Sequence, residues 1–435
     1  MCEKGINIGL VGAGVVGGGV VKVFREQESF FRRSLGLPLR LARIADKDTN
    51  RFASLPTGDA ALSSSAADVL GDPAIDIVVE LIGGTGYARE FVLEALRRGK
   101  HVVTANKALL ATHGSEIFRE AEKNNVSVYF EASVGGGMPV IKTIREAMIG
   151  NDVSSARAII NGTCNYILTR MSREGLSFAE ALKDAQARGY AEADPELDVG
   201  GGDSGHKIAI MASLLYGGHV PYDAVSVEGI KDMSPEDIKY ARELGYVVKL
   251  LGVIRRERPD APIEARVHPA MLREDHILAS VSDAFNAVLL RGGAVGDILL
   301  YGKGAGEMPT ASAVISDIVD VARNIAGGTP RRISMGYYDG SVRLPMKSID
   351  DLVSRYYLRF TVLDIPGVLA AIASVFARHS ISIASVVQRE AVEGQSVSVI
   401  FLTHKAVEKN LRAALSEVET MDFVRARTMV IRIEE

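Results

Sequence analysis

Near its start the chain runs Ile6, Ile8, Leu10 and Val11 into Gly12-Ala13-Gly14-Val15-Val16-Gly17, after which Val20, Val21 and Phe24 take up a helical rhythm. An apolar strand, G-x-G-x-x-G and a helix in that order leave few folds open. The glycines allow a tight turn and close backbone approach, and the helix start offers free N–H groups to a pyrophosphate. Further apolar runs over residues 39–45, 75–81, 101–104 and 126–130 alternate with helical segments. The spacing predicts a doubly wound parallel sheet of Rossmann type, with a dinucleotide held on Gly12, Ala13, Gly14, Val15, Val16 and Gly17.

The choice of dinucleotide turns on the end of the second strand, Ala45-Asp46-Lys47-Asp48. An acid there accepts hydrogen bonds from a ribose 2′-OH and repels a 2′-phosphate, so Asp46 favours NAD. Lys47 and Arg51 stand close enough to compensate, and NADP stays open; Asp46 and Lys47 beginning a plain polar turn is the competing account.

A length of 435 residues predicts two or three domains. A net charge of -4 gives no broad electrostatic reason to bind nucleic acid or an anionic membrane. With Cys2 and Cys164 the sole cysteines and no apolar run long enough to span a bilayer, a reducing, cytoplasmic setting is expected.

The densest polar chemistry lies in residues 185–207, AQARGYAEADPELDVGGGDSGHK, where Glu192, Asp194, Glu196, Asp198, Asp203 and Lys207 crowd a span broken by Gly189, Pro195 and Gly200-Gly201-Gly202. Apolar periodicity resumes only at Ile208, so the carboxylates are placed on a loop leading into a helix. Asp203 and Lys207, four apart, share a helical face with the acid nearer the N-terminus. A surface ion pair worth ~0.3–0.5 kcal/mol is the plain alternative.

This stretch resembles the signature of homoserine dehydrogenases, A-x-x-x-G-Y-A-x-x-D-P-x-x-D-V-x-G-x-D-x-x-x-K, at every constrained position from Ala185 to Lys207. Other segments are similar in order: Glu80-Leu81-Ile82-Gly83-Gly84, Thr104-Ala105-Asn106-Lys107, the loop Glu131 to Pro139, Asn161-Gly162-Thr163-Cys164-Asn165-Tyr166, and Gly302 to Thr310. The resemblance implies reversible NAD(P)H-dependent reduction of L-aspartate 4-semialdehyde to L-homoserine. It implies Lys207 as proton donor, Lys107 and Asp203 as active-site partners, and Glu192 and Asp198 as substrate contacts. Thr104, Lys107, Gly189 and Gly306 join the cofactor contacts, and a monovalent cation (Na+ or K+) is implied on Glu131, Val134, Gly136 and Met138, largely through carbonyl oxygens. Cys164 opens two readings, a thiolate nucleophile at a helix N-terminus, as in an acyl-forming semialdehyde dehydrogenase, or a small buried residue.

From Tyr356 the pattern strand, helix, strand, strand, helix, strand describes a ferredoxin-like unit of about 80 residues. Its turn Asp364-Ile365-Pro366-Gly367 and strand through Gln388 resemble an ACT domain. That resemblance implies amino-acid regulation, with L-threonine the expected effector near Asp364, Gly367, Ser380 and Gln388, although some such domains only assemble subunits. The expected division is a Rossmann domain over 1–135 completed by about 305–340, an α+β substrate and dimerisation domain over 136–304, a linker over 341–355 and the ACT domain over 356–435. A homodimer or homotetramer is expected. A catalytically silent amino-acid or nucleotide sensor is the alternative from a different class.

Overall fold

The computed structural model describes residues 5–329, 342–389 and 396–435. Cys2 and the stretch 330–341, which the expected domain division assigns partly to the first domain and partly to the linker, lie outside the described residues.

The first sheet is wholly parallel. Its strands are β1 (Ile6–Val11), β2 (Leu39–Ala45), β3 (Ala61–Ser63), β4 (Ile77–Glu80), β5 (His101–Thr104) and β6 (Val128–Tyr129), in the order β3-β2-β1-β4-β5-β6. The order reverses between β1 and β4, and a ligand crevice forms at such a switch point. Gly12, at φ +99°, turns the chain there, and a Cβ on it would stand 2.4 Å from the Leu81 carbonyl oxygen. Only glycine fits.

The helix Val15–Leu35 follows this turn, and the late helix Glu307–Ala326 returns to pack on it. Lys22 donates to Glu307 at 2.6 Å across that contact.

The second sheet takes in β7 (Val153–Ile159), β8 (Ser226–Val227), β9 (Tyr246–Arg255), β10 (Glu264–Arg273), β11 (Phe285–Gly292), β12 (Gly296–Lys303), β13 (Val353–Leu363), β14 (Ile383–Gln388), β15 (Ser396–Thr403), β16 (Ala406–Val407) and β17 (Met429–Glu434). Its path is β12-β11-β7-β9-β10-β17-β13-β15-β14, with β8 beside β10 and β16 beside β13. The ferredoxin-like unit is there as expected, but it is no separate body. Its last strand pairs in parallel with β10, Ala270 opposite Arg432 and Leu272 opposite Glu434, so one sheet runs through both domains. Tyr357, Ile400, Leu402, Ile431 and Ile433 accordingly belong to the same apolar core as the substrate domain.

On that sheet lie the helices Gly162–Glu174 and Gly202–Tyr216. The second of these is buried almost throughout, Asp203 and Lys207 included. It also begins at Gly202, well before the apolar rhythm resumes at Ile208, because its first turns face a polar site.

Candidate active site

The starts of three helices converge on one carboxylate, Asp203. Glu80, fully buried at the end of β4, accepts from the Thr104 hydroxyl at 2.6 Å and from the N–H groups of Ile82 and Gly83. Thr104 in turn accepts from Asn106 N–H, and the Asn106 side chain caps the helix Lys107–Lys123 by accepting from Leu109 N–H. An asparagine cap supplies an acceptor that the first turn otherwise lacks. Lys107 is thereby fixed at the first helical position, where its Nζ reaches Asp203 Oδ1 at 2.7 Å.

The other oxygen, Asp203 Oδ2, takes Lys207 Nζ at 2.7 Å and Asn161 Nδ2 at 2.9 Å. Lys207 also donates to the Ile160 carbonyl at 2.6 Å. The surface-pair alternative fails here, since Asp203 is 3% and Lys207 7% exposed. A buried ion pair needs its remaining donors and acceptors satisfied, and Asn161 and Ile160 do this.

Asn161, named above only as the start of a motif, takes a part in the site that the sequence did not assign to it. It bridges Asp203 to Asp198, donating to Asp198 Oδ1 at 2.7 Å, while its own oxygen caps the helix Gly162–Glu174 by accepting from Cys164 N–H. Its place just before a helix was the available signal.

The two lysines are driven apart in acidity. Burial, with Lys107 nearby, lowers the pKa of Lys207 although Asp203 pulls it up. Burial also disfavours the Lys107 ammonium, but the Asp203 carboxylate outweighs it and holds its pKa above the ordinary value. Asp203 resists its own burial because both ammonium groups keep its carboxyl far below the usual range. Asp198 is pushed up by burial, with Asp203 adding to the shift, against the opposing pull of the Asn161 hydrogen bond and the two lysines.

Glu192 stays exposed on the loop before Pro195, within electrostatic reach of Lys107. Gly189, at φ +74°, is the left-handed turn after the helix Phe178–Ala187, and the Thr163 hydroxyl donates to the adjoining Tyr190 carbonyl. Cys164 is fully buried, its thiol donating to the Asp198 carbonyl at 3.2 Å, and burial holds it protonated. That geometry fits the small buried residue.

The glycine turn borders a cleft of about 350 Å³ lined by Gly12, Gly14, Asp46, Lys47, Arg51 and Ser65 among others. Asp46 is not free to face a ribose alone. It accepts from Ala13 N–H at 2.6 Å, from Asp48 N–H at 2.8 Å and from Arg51 at 3.2 Å. The acid steadies the turn and holds a cation at the pocket wall. Val15 and Val16 open the following helix beside it, and Gly17 nests against Gly12, where a Cβ would stand 1.9 Å from the Gly12 oxygen. Gly306, at φ +116°, starts the returning helix Glu307–Ala326.

At the expected cation loop, Gly137 N–H donates to the Lys303 carbonyl at 3.1 Å, holding the stretch from Val134 to Met138 against residues 303–306. Gly136 adopts φ +55° against Gly304. The Glu131 and Met138 carbonyls each accept one backbone N–H, from Val134 and Val140, which leaves each a lone pair. The Glu131 carboxylate is turned elsewhere, accepting from Ile141 and Lys142 N–H at 2.8 Å each, and burial raises its pKa to about 7. A carbonyl site fits the loop; a carboxylate site does not. Among the described residues no group of three or more His, Cys, Asp or Glu side chains could hold a metal.

In the C-terminal unit Gln388 Nε2 donates to Asp364 Oδ1 at 3.0 Å, close to Gly367, which caps the helix Val368–Arg378 at φ +96°. Ser380 lies beyond the far end of that helix, at φ +58°. At 1.5 Å per residue the helix separates it from Gly367 by roughly 16 Å. Asp364, Gly367 and Gln388 form one neighbourhood and Ser380 belongs to another.

Comparison with known proteins agrees with this architecture. Residues 12–131 match the family model for the homoserine dehydrogenase NAD-binding domain, 139–319 that for homoserine dehydrogenase, and 356–422 that for the ACT domain. The homoserine dehydrogenase of Neisseria gonorrhoeae is 43% identical over 436 residues, covering 99% of each chain. The crystal structure of a homoserine dehydrogenase from Thiobacillus denitrificans superposes with a TM-score of 0.93 at 43% identity, over 99% of this chain and 98% of that one. A hyperthermophilic archaeal homoserine dehydrogenase solved in complex with NADPH superposes with a TM-score of 0.61 at 26% identity, over 72% of this chain and 97% of that one. With the match running the whole length of the chain, it belongs to the homoserine dehydrogenases, NAD(P)-dependent oxidoreductases acting on a CH–OH group, and carries a C-terminal ACT domain.

Proposed function

We propose that the row Lys107–Asp203–Lys207 is the catalytic centre for interconversion of L-homoserine and L-aspartate 4-semialdehyde. The observation that carries this reading is one buried carboxylate holding two lysine ammonium groups of opposed acidity. A bound nicotinamide supplies the hydride in reduction and takes it in oxidation. Hydride addition to the aldehyde carbon leaves an alkoxide, which requires a proton and local positive charge. Lys207, its proton loosened by burial, donates that proton. Lys107, its proton held by Asp203, keeps its charge beside the same oxygen. Asp203 fixes both, and Asn161 fixes Asp203. Glu192, within electrostatic reach of Lys107, binds the substrate ammonium, and Asp198 shapes the polar wall.

The cofactor sits across the glycine turn from Gly12 to Gly17, with Thr104 and Gly306 on the nicotinamide side. Arg51, drawn to the cleft by Asp46, and Lys47 give a 2′-phosphate two cations, which supports acceptance of NADP as well as NAD. A monovalent cation is held by the carbonyls of Glu131, Val134, Gly136 and Met138. L-threonine acts through the ACT domain at Asp364, Gly367 and Gln388, and the chain works as a homo-oligomer. The division into residues 1–135 with the returning helix, 136–304 and 356–435 stands on the same reading. The lysine row gathered on the buried Asp203 carboxylate gives no support to a catalytically silent sensor.

The test is the initial rate of NADH or NADPH formation from L-homoserine, with and without L-threonine, in sodium and in potassium buffer. Turnover with at least one cofactor is expected, together with inhibition by L-threonine. Folded protein inert with both cofactors would overturn the catalytic assignment, and turnover indifferent to L-threonine would overturn the effector alone.

A further inference from the structure

The continuous sheet brings one charged contact of the ACT domain against the turn that carries Asp203. Arg432, on the last strand and 3% exposed, donates two hydrogen bonds to Glu228, at 2.7 and 2.8 Å. Two more of its donors go to Glu408, at 3.0 and 2.6 Å, which also accepts from the Tyr356 hydroxyl. Glu228 belongs to the substrate domain, directly after β8, and its N–H donates to the Val267 carbonyl on β10 at 2.8 Å.

The next two residues touch the catalytic turn. Ile230 N–H donates to the Val199 carbonyl at 2.8 Å. A Cβ on Gly229 would stand 2.1 Å from that same oxygen and 2.7 Å from Gly200 Cα, so the two backbones are in direct contact. On the other side Gly201, at φ +85°, would meet the Glu228 carbonyl oxygen at 3.2 Å. Gly201 is the N-cap of the helix whose first turn presents Asp203 and whose second presents Lys207. Backbone contacts thus run from Glu228, whose side chain the Arg432 guanidinium holds, to the turn that aims the Asp203 carboxylate.

We propose that Glu228 is a positioning residue for the reaction: held by Arg432 of the ACT domain, it sets the Gly200–Gly202 turn and through it the placement of Asp203 and Lys207. The inference rests on the catalytic reading of those two residues. The joint borders a cleft of about 900 Å³ lined also by Asp232, Arg412, Arg427 and Thr428. The Glu228 side chain is 42% exposed there, so it can be exchanged without opening the core. Arg432 keeps Glu408 when Glu228 loses its charge, and a loss of activity need not be a loss of fold.

The experiment compares Glu228→Gln, Glu228→Asp, Arg432→Lys and the Glu228→Gln/Arg432→Lys double variant in the full chain. A displaced catalytic group can cost up to about a hundredfold in rate; for Glu228→Gln we expect kcat to fall about tenfold and KM for L-homoserine to rise, while KM for the dinucleotide and the melting temperature stay put. Glu228→Asp is expected to restore part of the rate, and the double variant to be no worse than its poorer parent. A kcat for Glu228→Gln within twofold of wild type, a loss explained by unfolded protein, or additive losses in the double variant would each overturn the proposal. Lys207→Ala, measured in parallel, separates the two readings: if it is inactive while Glu228→Gln is normal, the coupling fails and the catalytic assignment stands.

Discussion

Lys107 and Lys207 share one carboxylate, yet their environments ask opposite things of them. Lys207 is enclosed and its ammonium is destabilised; Lys107 reaches in from a half-exposed helix start and its ammonium is reinforced. A shuttle for protons and a fixed positive charge are the two properties that alkoxide chemistry needs. Lys207→Ala should lower kcat by at least about a hundredfold and leave dinucleotide binding unchanged, as read by steady-state rates and by titration with NADPH. Oxidation of homoserine requires the neutral lysine as base, so its kcat/KM should climb with pH through an ionisation below the ordinary lysine value of 10.5. A flat profile up to that pH would remove Lys207 from the proton path. The Asp203–Lys207 pair was legible in the sequence because four residues along a helix make neighbours. The Lys107 contact was not legible from spacing, because it spans two domains, and it came from motif resemblance alone. Asn161 was seen only as part of a motif, since its place before a helix signals the cap but not the bridge between two distant carboxylates.

At the level of the element, β9 shows how a strand can carry a polar group through the core. Lys249 is 3% exposed, donating to Asn165 Oδ1 at 3.2 Å and to the Val281 carbonyl, with no carboxylate in those contacts. It ties the helix Gly162–Glu174 and the loop at Val281 to the sheet. Burial, reinforced by Arg173, brings its pKa down to about 8 from 10.5. Between those values the unfolded chain binds more protons than the folded one, so this group makes stability rise with pH across that window. Wild type should therefore gain on Lys249→Met as pH climbs from about 8 towards 10.5, by up to about 3 kcal/mol, seen as converging or crossing melting curves. Parallel curves would show that the lysine is solvated. The apolar residues of this region, over 247–253 and 265–267, make strands legible in the sequence, and the structure carries β9 and β10 further, to Tyr246–Arg255 and Glu264–Arg273. The β10 extension takes in Glu264 and His268, buried polar residues at which an apolar pattern stops.

Across the whole molecule the unexpected feature is the join between β10 and β17. The alternation after Tyr356 announces a ferredoxin-like unit, but nothing in a strand's own sequence says which foreign edge it will pair with. The ACT domain consequently does not hang from a linker; it completes the substrate-domain sheet and is pinned again by Asp237. That carboxylate is fully buried on the helix Pro235–Glu243 and accepts from Arg359 at 2.6 and 2.8 Å and from the Tyr357 hydroxyl at 3.0 Å, both on β13. Removing one member of a largely buried, hydrogen-bonded pair strands the other charge and typically costs about 3–5 kcal/mol. Asp237→Ala should destabilise by about that amount in urea titration. If the sheet makes one cooperative body, residues 264–273 and 429–434 should lose hydrogen-exchange protection together in this variant, and the melting transition that contains them should move down as a unit. Early exchange confined to residues 353–434, with 264–273 unmoved, would show instead that the ACT domain opens on its own, and the joint through Glu228 would then have no rigid frame to act from.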